Sequence, residues 1–292
     1  LFFILFVRSL RHWRQPIMLL AVASIVLMAL PLIFGTERNG ARAWISVFGL
    51  SFQPSEMVKV FLLLVVSYLL SKRNVIPAAL FAGICLLMLM LQKDLGTALI
   101  YYAVTLILIF AATRSFFYLG AGFIGALVGG LIGYNMFSHV KRRVRIWIDP
   151  WYDYEGAGYQ IVQSLIAMVN GGVWGTGLGL GHAYDIPANT TDFVFSIILN
   201  EFGLVFGVCV VLVYLLLFLR GIGIALRSSS RFYTLLSLGA SCLIALQTFI
   251  IIGGNIKMIP LTGVTLPFIS YGGSSLLSSM CIMGILQGVV SI

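Results

Sequence analysis

Charge is scarce in this sequence. Asp, Glu, Lys and Arg make up 9% of its 292 residues, against about 25% in soluble globular domains. That scarcity excludes a soluble globular fold and, with 60% apolar residues, a disordered chain as well. Cysteine is also sparse. Cys85, Cys209, Cys242 and Cys281 fall inside apolar runs with no metal-like spacing, so a disulfide-stapled module is excluded and all four are expected to be small core residues. Carboxylates are scarcer than basic groups, 9 against 18, which leaves a net charge of +9. In a chain of mean hydropathy +1.06 this excess reads as the positive-inside bias of a membrane protein and its attraction to anionic lipid. Membrane lipids are therefore expected partners, and nucleic acid is not. An initiator Met is missing too. Leu1 to Val7 is too short to span and lacks a signal-peptide layout. It reads as the end of a helix whose beginning is absent, in an N-terminally incomplete copy of a longer protein.

What the sequence does have is long apolar runs. A bilayer core of about 30 Å needs about 20 apolar residues per helix. Eight stretches qualify or nearly do: 17–34, 54–71, 75–91, 95–113, 115–137, 193–219, 232–254 and 271–290. The expected fold is all-α, a polytopic transmembrane bundle forming one domain over 1–292, with a long outer loop at 138–192. Orientation follows from loop Lys and Arg. With 8–16 inside, the inner loops carry Arg8, Arg11, Arg14, Lys72, Arg73, Arg114, Arg220, Arg227 and Arg231, and the short outer loops carry Arg38, Arg42, Lys93 and Lys257. Under this topology all nine carboxylates lie in outer loops or near outer helix ends. Nucleotide-driven chemistry on the inner side is disfavoured, and acid–base chemistry is expected at the outer face.

The outer segments hold the candidate residues. Pro54 suits the first helical position, Glu56 then falls in the first turn, where a carboxylate favours the helix dipole, and Lys59 follows on the same face. The two read either as a structural ion pair or as a functional charge inside a span, with Lys59 near enough to the helix start to snorkel outward. Asp94 is placed to cap the next helix. His139 to Arg145 is a basic run, with Arg142 and Arg143 read as contacts either for lipid headgroups or for a phosphate or diphosphate. Trp147, Trp151, Tyr152, Tyr154, Tyr159, Trp174 and Tyr184 fit an interfacial belt. Val162, Leu165, Ile166 and Val169 keep helical spacing and predict a short amphipathic helix on or in the bilayer.

Gly171 to Gly181 is glycine-rich without P-loop or dinucleotide-turn context, so it is expected to make tight turns and approach a ligand or helix closely. Asp192 stands at the head of a span. Glu201, nine residues on, is rotated by half a turn on a straight helix, so the two are not expected to pair. Lys59 is a candidate partner for Asp192. The run Pro260 to Ser275 reads as extended, either exposing backbone N–H groups as an anion site or packed as a re-entrant segment. Ser270 and Tyr271 lie in it.

Several of these segments, in order, resemble the SEDS family (RodA, FtsW and SpoVE): GARAWI, FQPSEMVK, QKDLGTA, the stretch DPWYDYEGAGYQIVQSLIAMVNGGVWGTGLG, TDFVF and IPLTGVTLPFISYGGSS. The resemblance covers about 40–288. It implies ten membrane helices in the whole protein and a peptidoglycan glycosyltransferase for elongation, division or sporulation. Such an enzyme polymerises lipid II at the outer face of the bacterial cytoplasmic membrane beside a class B penicillin-binding transpeptidase. It also implies that Asp192, in TDF, is the catalytic carboxylate, with Glu56, Lys59 and Trp44 in support. Ala188, Thr190 and Lys93 depart from common family residues and put a second loop carboxylate in doubt. The chemistry asks for a base at the acceptor hydroxyl and cationic help for the departing diphosphate. Arg142, Arg143, Lys59 or a divalent cation such as Mg or Mn are the candidates for that help, and no nucleotide is called for. The rival classes are a flippase for the lipid-linked precursor, a secondary transporter and a scaffold without catalysis.

Overall fold

The computed structural model describes residues 14–38, 40–47, 50–181 and 186–290. The readings of Leu1 to Val7, Arg8, Arg11, Tyr184 and Asp185 lie outside them. Among the described residues ten helices account for most of the chain: α1 (Arg14–Phe34), α2 (Pro54–Ser71), α3 (Val75–Leu91), α4 (Leu95–Thr113), α5 (Phe116–Met136), α6 (Ser138–Ile148), α7 (Ala157–Gly171), α8 (Val194–Arg227), α9 (Arg231–Asn255) and α10 (Gly273–Val290). Seven of them are long and apolar enough to cross a membrane, and α3, at 17 residues, is the shorter eighth. Each of the eight apolar stretches is thus a helix. The protein is a multi-pass membrane protein.

The chain divides into two compact units, one of residues 1–123, 217–246 and 273–292, the other of 124–216 and 247–272. In the first, α2 is the central helix, packed by α1, α3, α4 and α10. Val58, Val60, Leu62 to Val66 and Leu70 are all buried, as expected of a helix that is apolar on every side. Tyr101 of α4 donates its hydroxyl to the Ser55 carbonyl (2.6 Å). A Cβ on Gly239 of α9 would stand 2.9 Å from a Leu63 methyl and 3.0 Å from a Leu108 methyl. Cys85 and Cys242 are buried and Cys281 half-buried, but Cys209 is exposed. In that one case the expectation of a core residue fails, because Cys209 sits on a stretch of α8 whose apolar side chains face outward.

The all-α expectation holds, with one small addition. A small antiparallel sheet, β1 (Thr36–Arg38), β2 (Ala41–Val47) and β3 (Leu50–Phe52), runs in the order β1-β2-β3. Arg38 pairs with Ala41, and Ile45 with Phe52. The sheet is tied to its unit by the Arg42 amide, which donates to the Gln92 carbonyl (2.9 Å). The buried Gln92 amide in turn donates to the Met28 carbonyl (2.6 Å). The signal for it is Asn39-Gly40, a dipeptide suited to a two-residue hairpin turn, and Gly40 has φ +80°.

In the second unit the long loop is mostly structured. It holds α6, a 3-10 turn (Pro150–Asp153) and α7. The predicted amphipathic helix is α7, but its faces differ from those expected. Ile161, Val162, Ser164 and Ala167 are buried, while Ile166 and Val169 are exposed. Ile146, Ile161, Ala167, Ile186 and Phe193 form the core of this unit.

The span over 193–219 is the helix α8, but it is broken at Gly203, where φ is +79° and ψ 177°. The break is filled by the glycine-rich segment. The Thr176 and Gly177 amides donate to the Asn200 and Glu201 carbonyls (2.9 and 3.0 Å), and the Leu204 and Val205 amides donate to the Gly172 and Val173 carbonyls (3.0 and 3.3 Å). Backbone groups orphaned by the break are thereby satisfied, as apolar surroundings demand. The approach is so close that a Cβ on Gly175 would stand 2.2 Å from the Glu201 oxygen. Glu201 itself is buried and accepts the Gly179 amide at 3.3 Å.

Candidate active site around Asp192

In the second unit, Asp192 closes a run of turns from Ile186 that delivers the chain into α8. Phe193, fully buried, anchors that run in the core. Three bonds fix its backbone. The Asn255 side chain donates to the Asp192 carbonyl (3.0 Å), the Ser270 hydroxyl donates to the Thr191 carbonyl (2.7 Å), and the Tyr271 amide donates to the Thr190 carbonyl (2.9 Å). Asn255 is buried and is itself held, accepting from Ser196 at 3.3 Å and donating to the Ile251 carbonyl at 3.0 Å.

The Pro260 to Ser275 run is packed over much of its length. Val264 and Leu266 are buried. Gln247 of α9 donates to the Thr265 carbonyl (2.8 Å), and the Tyr214 hydroxyl donates to the Pro267 carbonyl. The Leu266 amide is taken by the Ser270 hydroxyl (2.8 Å).

Two charged groups meet over Gly263. A Cβ at that position would stand 3.7 Å from Asp192 Oδ2 and 3.9 Å from Arg143 Nη2. Arg143 also donates to the Thr262 carbonyl (3.0 Å). Asp192 retains part of its surface, yet protein packs closely around its carboxyl group. Burial pushes the carboxyl up to about 6, against the opposing pull of the Arg143 guanidinium.

The basic run of α6 is divided by the helix itself. Arg143 faces Asp192 and Thr262. Arg142, about 100° away, turns to Asp153 in a bridge of 2.6 Å, and Arg145 lies over the Tyr152 ring at 4.3 Å and donates to its hydroxyl. Arg142 and Arg143, grouped together in the sequence, thus serve different places. Ser270 acts through the backbone that carries Asp192. Tyr271 contributes its amide, and its ring is exposed.

In the first unit, Glu56 and Lys59 form the expected pair at 2.5 Å. Both are buried, so Lys59 does not snorkel, and Ser278 of α10 donates to Glu56 at 2.8 Å. The cation beside Asp192 within its own unit is Arg143. Trp44 stands on β2 opposite Thr36. Asp94 caps α4 by accepting the Thr97 amide (3.2 Å) and also accepts from Gln53 (3.0 Å). Its burial raises the carboxyl from its ordinary value against those bonds.

Among the described residues no three His, Cys, Asp or Glu side chains gather as a metal cage. Asp192 supplies one carboxylate, a donor set that fits a magnesium-type ion sharing its shell with phosphate oxygens rather than a caged one. Asn255 and Gly263 were missed from the sequence. The available signal for Asn255 was a polar side chain ending an apolar span.

The family model described as cell cycle protein, covering FtsW, RodA and SpoVE, matches residues 1–291. The peptidoglycan glycosyltransferase RodA of Mycobacterium tuberculosis is 37% identical over 291 residues, covering 92% of this chain and 62% of that protein. The stage V sporulation protein E of Bacillus subtilis is 35% identical, covering 96% and 79%. The chain thus spans about three fifths of the length of the mycobacterial relative. Among solved structures, a chain of a peptidoglycan synthase complex, described for its coordination of polymerization and crosslinking, superposes with a TM-score of 0.78 at 29% identity. That match covers 99% of this chain and 86% of that one. Thermus thermophilus RodA superposes with a TM-score of 0.66 at 29% identity, covering 94% and 79%. By sequence, by fold and by the motifs around Asp192, the chain belongs to the FtsW/RodA/SpoVE family, the SEDS proteins.

Proposed function

We propose that this protein is a peptidoglycan glycosyltransferase that polymerises lipid II, with Asp192 as general base at the outer face of the bacterial cytoplasmic membrane. The observation that carries the reading is the carboxylate itself, closely packed, raised to about 6 and set beside one guanidinium. A base of that strength is matched to a hydroxyl acceptor near neutral pH. The mycobacterial relative's name gives the same activity.

In the proposed reaction the acceptor sugar hydroxyl gives its proton to Asp192, and its oxygen forms the new bond to the donor's anomeric carbon. The bond from that carbon to the diphosphate oxygen breaks, and the polyprenyl diphosphate leaves with the electron pair. Arg143 stands where it can offset the departing charge. A divalent cation held by Asp192 and the diphosphate would add Lewis-acid help. Asn255, Ser270 and the Tyr271 amide hold the base in place. The Glu56–Lys59 pair is proposed to fix α2 within its own unit. A class B penicillin-binding transpeptidase is the proposed partner, in keeping with the synthase complex whose chain this one resembles.

The test is glycan-strand formation from purified lipid II by the full-length protein with its transpeptidase. Wild type is expected to yield polymer and Asp192→Asn to lose it by about a hundredfold or more. Polymer at the wild-type rate from folded Asp192→Asn overturns the assignment. Lipid II crossing sealed vesicles without polymer would instead support the flippase reading.

A further inference from the structure

A charged cavity lies in the first unit. It has a volume of about 260 Å³ and is lined by Arg220, Gly223, Arg227, Ser229, Tyr233 and Val289, among others. Arg220 and Arg227 are seven residues apart on α8, two turns along one face. Gly223 lies between them, and a Cβ there would meet nothing within 4 Å, so the glycine leaves the floor of the cavity open.

The electrostatics are one-sided. No Asp or Glu occurs anywhere after Glu201, and neither arginine bridges to a carboxylate among the described residues. Arg231, the next basic residue, is committed to the Ala112 carbonyl at 2.7 Å. The serine loop at 228–230 uses its own acceptor internally. The Ser230 carbonyl takes the Thr234 amide and hydroxyl and the Ser228 hydroxyl. Arg220, Arg227, Ser229 and Ser230 therefore line an open space with an apolar wall from the end of α10.

We propose that this cavity binds a phosphate-bearing ligand, either the phosphodiester headgroup of an anionic lipid or a free phosphate compound. Guanidinium pairs match phosphate oxygens in fork geometry, the serine hydroxyls add donors, and the apolar wall suits the glycerol and first methylenes of a lipid. A bare basic rim, such as positive-inside bias alone produces, would attract lipid without a defined stoichiometry. A walled cavity holds one headgroup.

The inference does not rest on the transferase reading, and its experiment measures binding rather than polymer. Full-length protein in detergent is titrated with phosphatidylglycerol, phosphatidylcholine, inorganic phosphate or glycerol 3-phosphate. Retained lipid is counted by native mass spectrometry and protection by thermal unfolding. One saturable phosphatidylglycerol is expected, weakened about thirtyfold in Arg220→Gln/Arg227→Gln, since each basic group near a membrane contributes about a factor of five. Gly223→Phe is expected to abolish retention with the charges intact, while Lys72→Gln, on another loop, leaves it unchanged. Saturable protection by inorganic phosphate or glycerol 3-phosphate alone assigns the site to the free anion. Unsaturable retention, or a Gly223→Phe protein that binds like wild type, overturns the proposal.

Discussion

Asp192 combines close packing with one neighbouring cation, and the balance sets its behaviour with pH. Its carboxyl is raised from the usual value near 4 to about 6, so the folded protein holds a proton there that the unfolded chain has already released between those values. Stability therefore falls as pH rises from about 4 to about 6, by on the order of 1–3 kcal/mol. Asp192→Asn removes that cost and is expected to unfold at or above the wild-type temperature at neutral pH, which separates lost catalysis from lost fold. Activity runs the other way. The base must be ionised, so the rate is expected to rise with pH and reach half its plateau near 6. Arg143→Gln removes the group that lowers the carboxyl, and the limb is expected to move to higher pH. A pH–rate profile of polymer formation checks both, and an unmoved limb would sink the role given to Arg143. The choice between Arg142 and Arg143 could not be read from the sequence. Adjacent positions on α6 point about 100° apart, and only the packing of Thr262 and Gly263 decides which one meets Asp192.

At the scale of the element, every apolar run became a helix, because 17 or more apolar residues in a row admit few other structures in a bilayer. The small sheet was not legible. β1 and β3, of three residues each, are too short to show an alternating pattern beside the seven residues of β2, and only Asn39-Gly40 marked the turn. The break in α8 was hidden because Phe202-Gly203-Leu204 continues the apolar run without interruption. The glycines opposite it were legible as close-approach positions, though their target was not. Two of them give a graded test. Gly175 has φ +84° and no space for a side chain, whereas Gly179 has φ +72° and open surroundings. Gly179→Ala is expected to cost about 1 kcal/mol from the backbone alone. Gly175→Ala is expected to cost about 3 kcal/mol or more, since the loop must also leave the Glu201 carbonyl. Equal unfolding temperatures for the two variants would contradict the docking of this loop.

At the scale of the whole molecule, composition alone settled the environment, and the distribution of Lys and Arg proposes its orientation. That orientation puts Trp151 outside and Ser229 inside. With the four native cysteines replaced, Trp151→Cys is expected to react with an impermeant thiol reagent in intact cells, and Ser229→Cys only after permeabilisation. The reverse pattern would invert the topology and move Asp192 to the cytoplasm. The filled break in α8 carries a further consequence, for how the molecule is made. Gly171 to Gly181 leaves the ribosome before Asn200 to Val205, so the amides of Thr176 and Gly177 exist for a time with no carbonyl to receive them. They must stay in water until α8 is in place, about 10 Å or more along that helix from its start. This stretch of the protein is thus completed backwards, the later segment admitting the earlier one. Its assembly belongs to insertion into the membrane rather than to folding in solution.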